Sequence, residues 1–385
     1  MSVRRLSGIP GFAIDEVAAR AGSDPEVLRM ENLDTDLPPP AEALAATRHA
    51  LGRDDANSYL PFTGRLDLCA AVADRLERTA GRRYDPRREI VITAGATEGM
   101  LDALLATTDP GDEVILTDPT YAGMTNRVRL AGAVPRLVPF GWEGGRWRLD
   151  LDALRAAAGP RTRAVFLMNP SMPSGAVLDP DTWAAVAALC AARDCWLLYN
   201  AAMERILFDG RAPFHPAAIP ELRERTIVIG SVSKEYRMIG WRVGWVAAPA
   251  AVLADIARVH LYNVVTPPGI AQAGAAAALR LPLETLHASV AEWERRRDTV
   301  VKELAGMPVR TAAGGWSLLL DVGALGLDSF AASRRLLDLG RVAATPMRDW
   351  GEANGDRFVR LVFSNEPVER LAGLGVRVRR ALAAG

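Results

Sequence analysis

The chain has 385 residues, 49% of them hydrophobic, with 46 basic and 46 acidic side chains and a formal net charge of zero. That length supports a large core, in two domains or in one domain with a lobe. The balanced charge excludes the basic footprint of a nucleic-acid binder and the polybasic stretch of a membrane-surface protein, and fits a small neutral or zwitterionic substrate.

The N-terminal stretch MSVRRLSGIPGFAIDEVAARAG carries two arginines but no apolar core of signal-peptide length, and no later run reaches membrane-spanning length without a charge or a proline. A soluble cytoplasmic protein is expected. Cys69, Cys190 and Cys195 are odd in number and lack metal-type spacing, and His49, His215, His260 and His287 are scattered. Disulfides, zinc and other metal chemistry are therefore not expected.

In chain order, REIVITAG reads as a strand into a glycine turn and ATEGMLDALLATT as a helix. DEVILTDPTY, VPRLVPF, TRAVFLMNP, CWLLYNA, RTIVIGSVSK and GWRVGWVAAP read as further strands, the first four of them each followed or preceded by a helix such as AGMTNRVRLAGA, LDALRAAAG or PDTWAAVAALCAARD. The strands are short and continuously apolar, as strands buried on both faces are. The alternation predicts an α/β fold with a mostly parallel central sheet sandwiched by helices. After residue 270 long Ala/Leu/Arg-rich helices, the strand GGWSLLLDV and a closing strand-helix unit predict a smaller α+β lobe.

The functional residues of such a sheet lie at the carboxyl ends of its strands. The unusual polar residues of this chain fall there: Gly95, Ala96 and Thr97, then Asp118 and Tyr121, Asn169 and Ser171, Asn200, and finally Ser231 and Lys234. Lys234 stands out because only it and Lys302 are lysines. An ε-ammonium can lose its proton and attack a carbonyl, which a guanidinium cannot. The plain alternative is a surface lysine on a loop. If Lys234 holds a phosphorylated aldehyde, the phosphate needs amides at a helix start, hydroxyls and a fixed cation. TAGATEG with Thr97, Ser231 and Ser233, and Arg242 are candidates, each weak alone.

Together these segments resemble the class I/II aminotransferases, the pyridoxal-phosphate enzymes of fold type I, over most of the chain. SVSKEYRMIGWRVGW looks like the family's Schiff-base segment, which implies Lys234 as the lysine bonded to the cofactor and Ser231 and Arg242 on its phosphate. GATEG resembles the phosphate loop, with Ala96 and Thr97 donating, and DPTY implies Tyr121 stacked on the pyridine ring. NSYLPFTGRLDL resembles the segment whose tyrosine reaches the neighbouring subunit's phosphate, here Tyr59, which implies a homodimer. FVRLVFSN resembles the strand whose arginine grips the substrate carboxylate, here Arg360. The resemblance implies a cofactor domain over 45–270 and a small domain from 1–44 and 271–385.

Three departures stand against it. Where the family has NPNNPTG this chain has NPSMPSG, which keeps Asn169 and puts Met172 in place of the asparagine that donates to the cofactor's 3-oxygen. Where the family has DEIY this chain has NAAM, which puts Asn200 opposite the pyridine nitrogen and Met203 in place of the second donor. Asn200 precedes Lys234 by 34 residues and follows Met172 by 28, the family's spacing. The glycine turn beside the substrate is replaced by MENLDTDLPPP, with Asn32 or Leu33 at that place.

A neutral Asn200 holds a proton on the ring nitrogen less firmly than a carboxylate, which implies a weaker electron sink. The two methionines open an apolar surface, unless they only pack and Tyr199 or Tyr236 supplies a donor instead. Three readings remain: transamination of an α-amino acid through Lys234; elimination, replacement, cyclisation or carbon–carbon bond formation at the β or γ carbon, with S-adenosylmethionine among the candidate substrates; or a non-catalytic binding protein.

Overall fold

A computed structural model describes Val3, residues 6–11 and residues 13–383; Arg4 and Arg5 of the N-terminal stretch lie outside these. The larger of its two main sheets has eight strands in the order Ile90–Thr93, Gly244–Ala247, Thr226–Ser231, Trp196–Asn200, Thr162–Met168, Glu113–Asp118, Val134–Glu143, Arg146–Leu149. The four pairings from Thr226–Ser231 through to Val134–Glu143 are parallel, and Gly244–Ala247 runs antiparallel to both its neighbours. The sheet is thus mixed but mostly parallel, as the alternation of segments predicts.

Every residue of Ile90–Thr93, Glu113–Asp118, Thr226–Ser231 and Gly244–Ala247 is buried, which accounts for the apolar runs they contain. Helices between them are started by local chemistry. Asp179 accepts the N–H of Thr182 at 2.9 Å ahead of Pro180 at the first turn of Pro180–Arg193, and Asp150 accepts that of Ala153 at 2.8 Å ahead of Leu151–Ala157.

One edge was not foreseen. Val134–Glu143 turns back through Gly144 and Gly145 into Arg146–Leu149, with Glu143 paired to Arg146. Both glycines have positive φ, 55° and 76°, the backbone of a two-residue hairpin turn whose twist matches its strands.

The second sheet has the order Leu28–Met30, Val342–Pro346, Phe358–Val362, Ser317–Asp321, Val309–Arg310. Leu28–Met30 comes from the N-terminal part and pairs in parallel with Val342–Pro346, so both ends of the chain build this unit. Its core includes Trp293, Trp316, Phe208 and Phe363, and it carries Arg360 on a strand buried throughout. Among the described residues no helix is long and apolar enough to cross a membrane.

Candidate active site

A cavity of about 330 Å³ opens between the carboxyl ends of the large sheet's strands and the second sheet, within the size of small-molecule sites, about 300–1,000 Å³. Lys234 lies on its wall, in the loop that follows Thr226–Ser231. The Nζ donates to the Leu33 carbonyl at 2.6 Å and sits 4.8 Å from the centroid of the Trp316 ring. Burial lowers its pKa to about 7; the positive charges of Arg360 and Arg242 add to this against the attraction of Asp34. The next residue pins the loop: Glu235 is ion-paired with buried Arg75 and accepts the Arg205 N–H at 2.9 Å.

Ala96 and Thr97 begin the helix Ala96–Thr107 and face the same cavity, as do Ser231 and Arg242. Gly95 precedes that helix with φ 81°, and no side chain caps it. A Cβ at Gly95 would come within 2.5 Å of an Arg242 guanidinium nitrogen. The absence of that carbon lets a cation stand against an uncapped helix N-terminus, an arrangement suited to an anion. The Ser231 hydroxyl accepts from the Ser233 N–H at 3.3 Å and holds the turn beside it.

Across the cavity Arg360 is 1% exposed. Its Nη2 donates to the Glu31 carbonyl at 2.5 Å and the Thr345 hydroxyl at 3.1 Å, its Nη1 meets Met172 Sδ at 3.8 Å, and its Nε has no partner. The guanidinium stacks 4.7 Å over the Trp350 ring, which meets Tyr121 edge-on at 6.3 Å. Asp118 steadies that stack, since its carboxylate accepts the N–H groups of Glu352, Ala353 and Asn354 at 2.7–3.2 Å. Burial lowers the Arg360 pKa to about 10. A buried guanidinium bonded only to neutral oxygens, with an orphaned N–H, is costly and favours an incoming carboxylate.

Asn32, Met172, Asn200 and Met203 complete the wall, together with Tyr121. Two residues named from the sequence lie elsewhere. Asn169 is buried outside the cavity lining and its side-chain oxygen accepts the Leu178 N–H at 3.0 Å, which closes the turn after Thr162–Met168. Tyr59 is 87% exposed on the surface. The substitute donors weighed for the methionines do not line the cavity: Tyr199 donates to Glu204 at 3.0 Å, and Tyr236 accepts from Arg75 at 2.8 Å.

Residues that the sequence reading passed over also gather here. Glu98, Asp102 and His260 form a buried cluster, with Glu98 Oε1 2.6 Å from His260 Nδ1, while the other Glu98 oxygen accepts the Ala94 N–H and ties the cluster to the turn before Ala96. Burial and the neighbouring Glu98 raise the Asp102 pKa to about 8. Asp15, in the first turn of Ala13–Ala21, is the one acidic side chain among the described residues lining the cavity.

Residues 28–373 match the family model of aminotransferase class I and II. The chain is 34% identical to the arginine–pyruvate transaminase AruH of Pseudomonas aeruginosa over 372 residues, 95% of this chain and 94% of that one. It is 34% identical to a probable N-succinyldiaminopimelate aminotransferase, DapC, of Mycobacterium tuberculosis, over 82% of this chain and 79% of that one. Among solved structures, the N-succinyldiaminopimelate aminotransferase of Mycobacterium tuberculosis superposes with a TM-score of 0.92 at 30% identity, covering 98% of this chain and 99% of that one. Aspartate aminotransferase from Thermus thermophilus with maleate superposes with a TM-score of 0.90 at 28% identity, covering 99% of both chains.

Proposed function

The chain belongs to the aminotransferase class I and II family and uses pyridoxal phosphate, and on that premise we propose that it transfers an amino group from an α-amino acid through Lys234. The bound cofactor supplies an electron sink for the pair left at the substrate's α-carbon. The residues present fit it: the uncapped helix start at Ala96 and Thr97, the Ser231 hydroxyl and the exposed Arg242 would hold its phosphate, and Tyr121 would face its ring.

Lys234 is the anchor in this reading. A pKa of about 7 leaves a large share of its amine unprotonated at neutral pH, as attack on a carbonyl requires. The same Nζ is then available to take and return a proton at the α-carbon. Arg360 holds the substrate's carboxylate. The single observation that carries the proposal is that Arg360, buried and without a carboxylate partner, shares one cavity with Lys234. Exposed Tyr59 supports a homodimer in which it reaches the partner's phosphate.

Asp15 favours an amino acid with a cationic side chain, in keeping with the name of the Pseudomonas relative, an arginine–pyruvate transaminase. A second reading, elimination, replacement or bond formation at the β or γ carbon, is favoured by Met172, Met203 and Asn200 on the wall in place of two hydrogen-bond donors to the cofactor's 3-oxygen and a carboxylate. The test is the absorption spectrum of the protein and of Lys234→Ala, before and after a panel of amino acids that includes arginine and S-adenosylmethionine. A lysine-dependent band that bleaches as one equivalent of keto acid forms supports transamination. A band that returns with a new product of different mass supports the second reading. If no band depends on Lys234, both fail and a binding role remains.

A further inference from the structure

Asn200 closes the strand Trp196–Asn200 and is 5% exposed on the cavity wall. A primary amide can present either its oxygen or its nitrogen to a ligand. Here the choice is made by the chain itself. The Asn200 side-chain oxygen accepts the Ala202 N–H at 3.0 Å. Turning the amide over would set its NH2 against that N–H, donor against donor, and leave a buried backbone donor without a partner. The Nδ2 is therefore the end left for a ligand, and its one hydrogen-bond partner among the described residues is Met100 Sδ at 3.8 Å, a weak acceptor.

No carboxylate stands in for the missing aspartate. Asp118 is saturated by three backbone N–H groups of residues 352–354. Asp194 is exposed and ion-paired with Arg225. Glu98 and Asp102, on the helix that carries Met100, are turned to His260, and Asp15 is exposed. The charged groups that do line the wall besides Asp15 are Lys234, Arg242 and Arg360, all of a sign that opposes a further positive charge on a ligand.

We propose that Asn200 donates its Nδ2–H to the cofactor's pyridine nitrogen and so keeps that nitrogen unprotonated. This rests on the reading of the cavity as the pyridoxal-phosphate site. No bond is made or broken: a neutral nitrogen lone pair accepts a hydrogen bond where a carboxylate would instead stabilise the protonated ring. The ring is then the weaker of the two possible electron sinks, and the handling of the α-proton falls more heavily on Lys234.

The experiment is 15N NMR of the holoprotein reconstituted with cofactor labelled at the ring nitrogen, for the natural chain and for Asn200→Asp, which is nearly isosteric. The natural chain is expected at the resonance of an unprotonated pyridine across the pH range in which it is folded, and Asn200→Asp at the distinct upfield position of a pyridinium. Loss of packing alone would not move the resonance between these positions. A pyridinium resonance in the natural chain overturns the inference while leaving cofactor binding intact. A natural chain that shows no Lys234-dependent absorption band removes the cofactor reading itself, and the inference with it.

Discussion

At one end of the cavity the helix start at Ala96 and Thr97, the Ser231 hydroxyl and the Arg242 guanidinium offer hydrogen-bond donors and a fixed positive charge. At the other, Met172, Met203 and Asn200 offer two thioethers and a neutral amide. The first end is built largely from backbone. A positive-φ glycine sets the helix start, and Gly244, where a Cβ would lie 2.6 Å from the Ala96 nitrogen, lets the neighbouring strand approach it. The second end is built from side chains at strand and turn ends, which can change without disturbing the sheet. On the proposed reading, a single site can therefore keep its anchoring chemistry and alter its electronic chemistry independently.

The sharpest way to test that division is at Arg360 and Lys234, which line the same cavity. Arg360→Lys keeps the charge but removes the planar fork. Loss of a charged hydrogen bond of roughly 1.5–3 kcal/mol predicts about a 10- to 150-fold fall in kcat/KM. Arg360→Met should lose still more activity yet raise the Tm of the cofactor-free protein, because it removes a buried guanidinium bonded only to neutral oxygens. A lowered Tm would mean that the bonds to Glu31 and Thr345 outweigh the burial of the charge.

Lys234 gives the matching prediction in pH. Its folded pKa, about 7, lies below its ordinary value of 10.5. Between those values the native state binds fewer protons than the unfolded chain, so this group's contribution to stability rises with pH through that window and is lost as pH falls towards 7. Asp102 and Glu204, both raised to about 8, act in the opposite direction at lower pH, from the ordinary carboxylate range up to about 8. Denaturant unfolding of the cofactor-free chain and of Lys234→Met across pH isolates the lysine. The variant should lose the upward slope between neutral and alkaline pH, and an unchanged slope would show that Lys234 titrates normally.

Much of this site was legible in the sequence because its parts are local. The rare Lys234, the glycine turn before Ala96 and the polar residues at strand ends can each be read within a few residues. Strands such as Thr226–Ser231 announce themselves by continuous apolar character. Leu28–Met30 and Val342–Pro346 do not, since three residues and an Ala-Ala-Thr-Pro run carry little β pattern; the two strands pair with each other, and Val342–Pro346 also pairs with Phe358–Val362. The Gly144–Gly145 hairpin did leave a signal, paired glycines between aromatic-rich segments, that the reading passed over. The meeting of His260 with Glu98, 162 residues apart, left none. Nor could the orientation of the Asn200 amide be read before its neighbour Ala202 was positioned by the fold.

Restoring a hydrogen-bond donor at Met172 tests whether the methionines matter to the cofactor or only to packing. Met172 is partly buried and touches Arg360, so Met172→Asn is tolerable sterically and offers a new N–H. One added hydrogen bond of about 1 kcal/mol predicts roughly five-fold tighter cofactor binding. Equal affinity, with unaltered absorption, would mean that this face does not meet the cofactor's oxygen.

The smallest effect belongs to the rim. Asp15 is exposed, so a pair between it and a substrate cation is screened and contributes about 0.2–1 kcal/mol. Asp15→Asn should then raise KM for amino acids with a cationic side chain by at most about five-fold and leave kcat unchanged. Neutral amino acids should be unaffected, and the difference should shrink as salt is added. A loss shared equally by neutral and cationic substrates would place Asp15 in the scaffolding of Ala13–Ala21 instead. It would also leave the cavity with no acidic residue to select a substrate side chain, so that selection would fall to the apolar faces of Met172 and Met203.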